Sequence, residues 1–128
     1  MRRLALSLLL LCLAAGHSSA AGTQRNFVVF FQKWSAAFDD PALRVIAEAA
    51  RWAKSHPDAQ VSVTGAADLT GSRQANILLS ELRAQVVADQ LAADGADPRR
   101  IKQMGLGSVD YALSSQESRR VVISFPPP

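Results

Sequence analysis

The sequence predicts an α/β sandwich in which two main helices cover one face of a small sheet of about four strands. Three observations predict it. Short β-branched or aromatic runs alternate with two amphipathic helical stretches, in the order βαβαβ(α)β. No glycine-, proline- or serine-rich linker divides the chain, and no internal repeat is present. The chain has 128 residues, 48% of them hydrophobic, which suits one packed core and leaves no room for two.

The N-terminal segment stands apart from that pattern. Met1-Arg2-Arg3 is a positive start, and Leu4 to Ala15 is an apolar run of 12 residues. Such a run is too short to cross a hydrocarbon core, which needs about 20 helical residues. Ser18-Ser19-Ala20 places small side chains at −3 and −1 of a cut after Ala20. Residues 1–21 are therefore expected to be a secretory signal peptide, and residues 22–128 the folded domain. Leu11 precedes Cys12, so the small residue that a lipid-anchored cysteine requires before it is missing.

Phe27 to Phe31 reads as the first buried strand. Asp39-Asp40-Pro41 starts a helix, with a carboxylate at the N-cap and proline in the first turn. Its stripe is Leu43, Ile46, Ala47, Ala50 and Ala53, and Ser55-His56-Pro57 ends it, because the residue before proline leaves the α region. Gln60 to Thr64 alternates as a second strand, followed by a turn-rich loop, Gly65 to Ser72. A long helix is expected from about Ser72 to Ala93, with Ala75, Leu78, Leu79, Leu82 and Val86 on one face and Gly95 closing its C-terminus. Arg100 to Met104 is a weaker third strand ending in Gly105-Leu106-Gly107. Ser114 to Glu117 suits a short helix, and Arg120 to Phe125 is the last strand.

Composition narrows the chemistry. Fourteen basic residues face 11 acidic ones, but two of the arginines lie in the expected signal. The domain that remains has 12 basic and 11 acidic residues, a net charge of +1, so a nucleic-acid partner has no electrostatic basis. Cys12 and His17 leave with the signal, and His56 is the one histidine of residues 22–128. No disulfide framework, cysteine zinc site or histidine-based nucleophile can be assembled, and no metal or cofactor is expected. No later apolar run approaches membrane-spanning length, so no transmembrane segment is expected after signal removal. Trp34 and Trp52 read as rim or core packing in preference to a sugar platform, and His56 as a surface residue.

Asp68 falls where the second strand hands over to the long helix, a position at which open α/β folds place ligands. Asn76, Ser80 and Arg83 follow at i, i+4 and i+7, a stripe beside the apolar face. A carboxylate in the loop and a planar guanidinium on that stripe can converge on a zwitterion. Spacing also permits a plain Asp68–Arg83 ion pair, or a loop cap at Asp68 with Asn76 and Ser80 as ordinary surface residues.

Gly65, Asp68, Gly71, Ser72, Asn76, Leu79, Ser80, Arg83 and Ala84 match, without a gap, the pattern G-H-T-D-x-x-G-S-x-x-Y-N-x-x-L-S-x-x-R-A. This window resembles the signature of OmpA-like, peptidoglycan-associated domains. Val29-Phe30-Phe31, Gly105-Leu106-Gly107 and Arg119-Arg120-Val121 extend the resemblance over essentially all of residues 22–128. It implies a mixed sheet and non-covalent, non-catalytic binding of the diaminopimelate in peptidoglycan stem peptides. Asp68 would receive the ammonium of that group and Arg83 its carboxylate. Asn76 would line the pocket, and Arg119 or Arg120 would close it from the last strand. It also implies a periplasmic location, associated with the outer membrane or cell wall. The family's His-Thr before the aspartate is Ala66-Ala67 here, its acidic residue after the first strand is Gln32, and its asparagine before the double arginine is Ser118. Those departures carry an alternative: the fold kept as a protein–protein interaction module of the cell envelope.

Overall fold

The computed structural model describes residues 24–109 and 115–126. The expected signal peptide, residues 1–21, lies outside the described residues. Strands β1 (Arg25–Phe30), β2 (Val61–Ala67), β3 (Ile101–Ser108) and β4 (Arg120–Phe125) form one sheet in the order β1-β4-β2-β3. β4 is antiparallel to both neighbours and β2 is parallel to β3, so the sheet is mixed. Parallel neighbours need a crossover, which helix α2 (Arg73–Ala93) supplies. Helix α1 (Asp40–Ser55) connects β1 to β2, and a single turn, α3 (Ser115–Ser118), precedes β4.

Local chemistry sets the helix ends. The Asp39 carboxylate accepts from the Ala42 amide at 2.9 Å, and the Ser72 hydroxyl accepts from the Ala75 amide at 3.1 Å. Each satisfies an amide that the first turn leaves without a partner. Alternation along the strands turns Val29, Val61, Val63, Val121, Ile123 and Phe125 to one face. There they meet Ile46, Ala49 and Ala50 of α1 and Val87 and Leu91 of α2 in one core. Trp52 packs on the Phe125 ring at its margin, with ring centroids 4.5 Å apart.

The structure corrects several expectations. Gly65 to Ala67 belong to β2 and Gly105 to Ser108 to β3, so both strands run further than their β-branched runs suggest. A 3₁₀ turn, Pro98–Arg100, enters β3. On α1 the buried stripe is Ala42, Ile46, Ala49 and Ala50, and Leu43 is exposed. The largest correction is on α2. Leu78 and Leu82, expected in the core, are 59% and 47% exposed, while Asn76, Ser80 and Arg83 form the buried face with Ala84.

Close approach explains the inversion. A Cβ on Gly65 would stand 2.1 Å from the Ser80 carbonyl oxygen, and one on Gly105 would stand 2.5 Å from the Glu81 amide nitrogen. The first half of α2 thus lies almost directly on the backbones of β2 and β3. No leucine fits between. A serine does: Ser80 Oγ donates to the Ile77 carbonyl and accepts from the Gly107 amide, both at 2.8 Å.

Candidate functional site

β1, β2 and β3 end, and β4 begins, at one edge of the sheet, and the charged residues gather there. Asp68 is the first residue after β2 and is buried. One of its oxygens accepts from the Thr70 amide at 3.0 Å and from the Thr70 hydroxyl, a closed Asx turn. The other accepts from Arg119 Nη1 at 3.2 Å. Arg119 Nε also donates to the Phe31 carbonyl at 3.1 Å, which ties the start of β4 to the end of β1. Burial pushes the Asp68 carboxyl up, but the Thr70 donors and the Arg119 guanidinium outweigh it and hold the group below its ordinary value.

Arg83 lies beneath this pair and is 0% exposed. Its Nε donates to the Ser35 carbonyl at 2.8 Å, Nη1 to Ala66 at 3.0 Å and Nη2 to Gln32 at 3.1 Å. The guanidinium therefore clamps the β1–α1 loop against the end of β2, and it sits 5.2 Å from the centre of the Phe31 ring. These bonds use three of its five N–H groups. No described carboxylate lies at ion-pair distance from it. Burial pushes its pKa down to about 10, Asp68 opposes that shift and the like charge of Arg119 adds to it. At neutral pH it stays charged.

Asn76 braces the same corner. Its side-chain nitrogen donates to the Thr70 carbonyl at 2.9 Å and to Ser108 Oγ at 2.8 Å, joining the β2–α2 loop to the end of β3. The structure thus brings together Asp68, Asn76, Arg83 and Arg119. Arg120 alternates with the inward-facing Val121 and so lies on the face of the sheet opposite the core. Ser118 is buried just before Arg119.

Thr70 is the residue of this cluster that sequence reasoning left unassigned. It carried a signal, since Asp-x-Thr is an Asx-turn pattern. Trp34, for which the sequence weighs packing against a sugar platform, is 50% exposed, with a left-handed φ of 56°, beside the β2–α2 loop. Among the described residues, no three His, Cys, Asp or Glu side chains cluster as a metal site, and no helix is long and apolar enough to cross a membrane.

Comparison with known proteins bears on the family and the fold. The chain is similar to the peptidoglycan-binding protein ArfA of Mycobacterium tuberculosis, at 47% identity over 62 residues, covering 48% of this chain and 19% of that protein. It is also similar to the peptidoglycan-associated lipoprotein of Agrobacterium fabrum, at 29% identity over 124 residues, covering 87% of this chain and 70% of that one. Among solved structures, the OmpA-like domain of FopA1 from Francisella tularensis superposes with a TM-score of 0.73 at 25% identity, over 81% of this chain and 73% of that one. The match to ArfA is thus confined to about a fifth of that relative's length. The model of the OmpA family matches residues 30–121, from the last residue of β1 to the second residue of β4 with β2, β3 and both long helices between, and the chain belongs to that family.

Proposed function

We propose that residues 22–128 form a periplasmic domain that binds peptidoglycan reversibly, without making or breaking a bond. The observation that carries this reading is Arg83, a buried guanidinium held by carbonyls alone next to a buried, ionised Asp68. A buried guanidinium with no described carboxylate at ion-pair distance is costly, and a ligand carboxylate would compensate it while the ligand's ammonium takes the place of Arg119 at Asp68. The amphoteric end of diaminopimelate in a stem peptide is such a ligand. Asp68 takes the ammonium once its pair with Arg119 opens. Arg119 and the remaining N–H groups of Arg83 take the carboxylate, and Asn76 keeps the loop in place. Arg120 has no part in this reading. The names of the relatives, a peptidoglycan-binding protein and a peptidoglycan-associated lipoprotein, support the ligand class and an envelope location.

Two charge-assisted contacts at about 1.5–3 kcal/mol each, less ordering costs, give weak binding to a single peptide. Retention on the wall then depends on rebinding along a repeating polymer. Co-sedimentation of residues 22–128 with isolated sacculi tests the reading. Pelleting with diaminopimelate-type sacculi, competed by the free stem tripeptide, is expected. No pelleting at all would favour the envelope interaction module, for which the helix-free sheet face, with Phe30, Met104 and Leu106 exposed, is the available surface.

A further inference from the structure

We propose that Trp34 is a stacking platform for a sugar ring, so that the site reads the glycan as well as the peptide of its ligand; this rests on the peptidoglycan reading above. Three observations carry it. First, the indole is half-exposed yet fixed: a Cβ on Gly71 would fall 2.2 Å and 2.7 Å from its Cη2 and Cζ2, so the ring lies against the Gly71 backbone. Gly71 and Asp68 share the short loop between β2 and α2, which puts the ring on the rim of the charged site.

Second, the backbone at Trp34 is in a conformation that a bulky residue rarely takes. The Ser35 amide donates to the Gln32 carbonyl at 3.1 Å, closing a turn with Trp34 at its third position and a φ of 56° there. Turns with positive φ at that position ordinarily carry glycine or asparagine. A tryptophan that served packing alone would gain more in the core than on a strained, half-exposed turn. Third, the turn is held from both sides by the site itself, since Arg83 donates to the carbonyls of Gln32 and Ser35. The guanidinium that stands under the peptide site thus also sets the height of the ring.

The ligand class follows from the chemistry of such a ring. A pyranose presents a face of C–H bonds that packs on the electron-rich face of an indole. In a stem peptide anchored at Asp68 and Arg83, the sugar is the next group of the ligand beyond the peptide.

The experiment compares two probes by calorimetry: a disaccharide tripeptide ending in meso-diaminopimelate, and the same tripeptide without sugar. The unaltered domain is expected to bind the disaccharide form more tightly. Trp34→Gly and Trp34→Asn both suit a left-handed backbone, so either keeps the fold, which circular dichroism and the melting temperature verify. Both should weaken the disaccharide probe by roughly three- to tenfold and leave the bare tripeptide unchanged, with Trp34→Phe in between. Equal affinity of the unaltered domain for the two probes, an equal loss for both, or no loss for either overturns the proposal. Failure of the unaltered domain to bind even the bare tripeptide is a different result: it removes the peptide-site reading, and this inference with it.

Discussion

Asp68 is paired with Arg119, 51 residues further along the chain, and not with Arg83, the partner that helical spacing suggests. The two arginines divide the work. Arg119 holds the carboxylate at the rim, where its side chain keeps 15% of its surface in solvent. Arg83 lies underneath and bonds the loop carbonyls. Loss of binding on changing Arg83 would therefore mix a lost contact with a disordered loop, and Arg119 is the cleaner probe of the ligand site.

Replacing Arg83 should cost stability first. Arg83→Met keeps much of the volume but takes the guanidinium donor from the carbonyls of Ser35 and Ala66, and from that of Gln32, which keeps the Ser35 amide. At about 1–3 kcal/mol for each acceptor left unsatisfied, the loss from Ser35 and Ala66 should reach at least about 2 kcal/mol. Urea unfolding measures it. A loss under about 1 kcal/mol would show that the clamp is not holding the loop.

Arg119→Gln should separate binding from folding. It removes the charge-assisted bond to Asp68, worth about 1.5–3 kcal/mol, and the guanidinium's bond to the Phe31 carbonyl, while the core stays intact. Pelleting with sacculi should fall to background, while circular dichroism shows the folded signal retained. Undiminished pelleting would remove Arg119 from the ligand site.

The acid limb of stability should belong in part to Asp68. Its carboxyl is held below the ordinary value of 3.8 in the folded chain, so folding favours the ionised form. The resulting stabilisation is complete above about pH 4 and is lost as pH falls through the lower folded value. Asp68→Asn should flatten the stability–pH curve in that window and leave its shape unchanged near neutrality. An unchanged acid limb would place the ionised group elsewhere.

Packing along α2 gives the most direct check on the register. Gly65→Ala forces a methyl to within 2.1 Å of the Ser80 carbonyl oxygen and should destabilise by about 1–3 kcal/mol or more. Leu91→Ala, at a fully buried site, should cost about 2–5 kcal/mol. Leu82→Ala, on the outer face, should stay within about 0.5 kcal/mol. Thermal or urea unfolding of the three ranks them. A Leu82 effect equal to that of Leu91 would reverse the face assignment.

Much of the fold and of the site was legible in the one-dimensional pattern. Local signals suffice for the helix starts, because Asp39 and Ser72 bond amides only three residues away. They also suffice for the cores of the strands, where β-branched residues alternate. The register of Asp68, Asn76 and Arg83 was readable because one loop and two helical turns separate them. Strand ends at Gly65 to Ala67 and Gly105 to Ser108 were not, since small residues carry no strand signal of their own.

What the sequence by itself determined is therefore the order of elements, the helix caps and the set of polar residues grouped near one loop. Tertiary structure alone decided which face of α2 is buried, which arginine meets Asp68 and where Trp34 stands. Hydrophobic periodicity assumes that the largest apolar side chains face the core. Here two glycine-bearing strands let the helix backbone come so close that Ser80 and Arg83 fill the interface and Leu78 and Leu82 turn outward. The choice of Arg119 over Arg83 depends likewise on strand order: β4 lies between β1 and β2, which delivers its first residues to the end of β2. Contacts between residues 51 apart are set by the packing of the sheet, and no local window of the chain contains them.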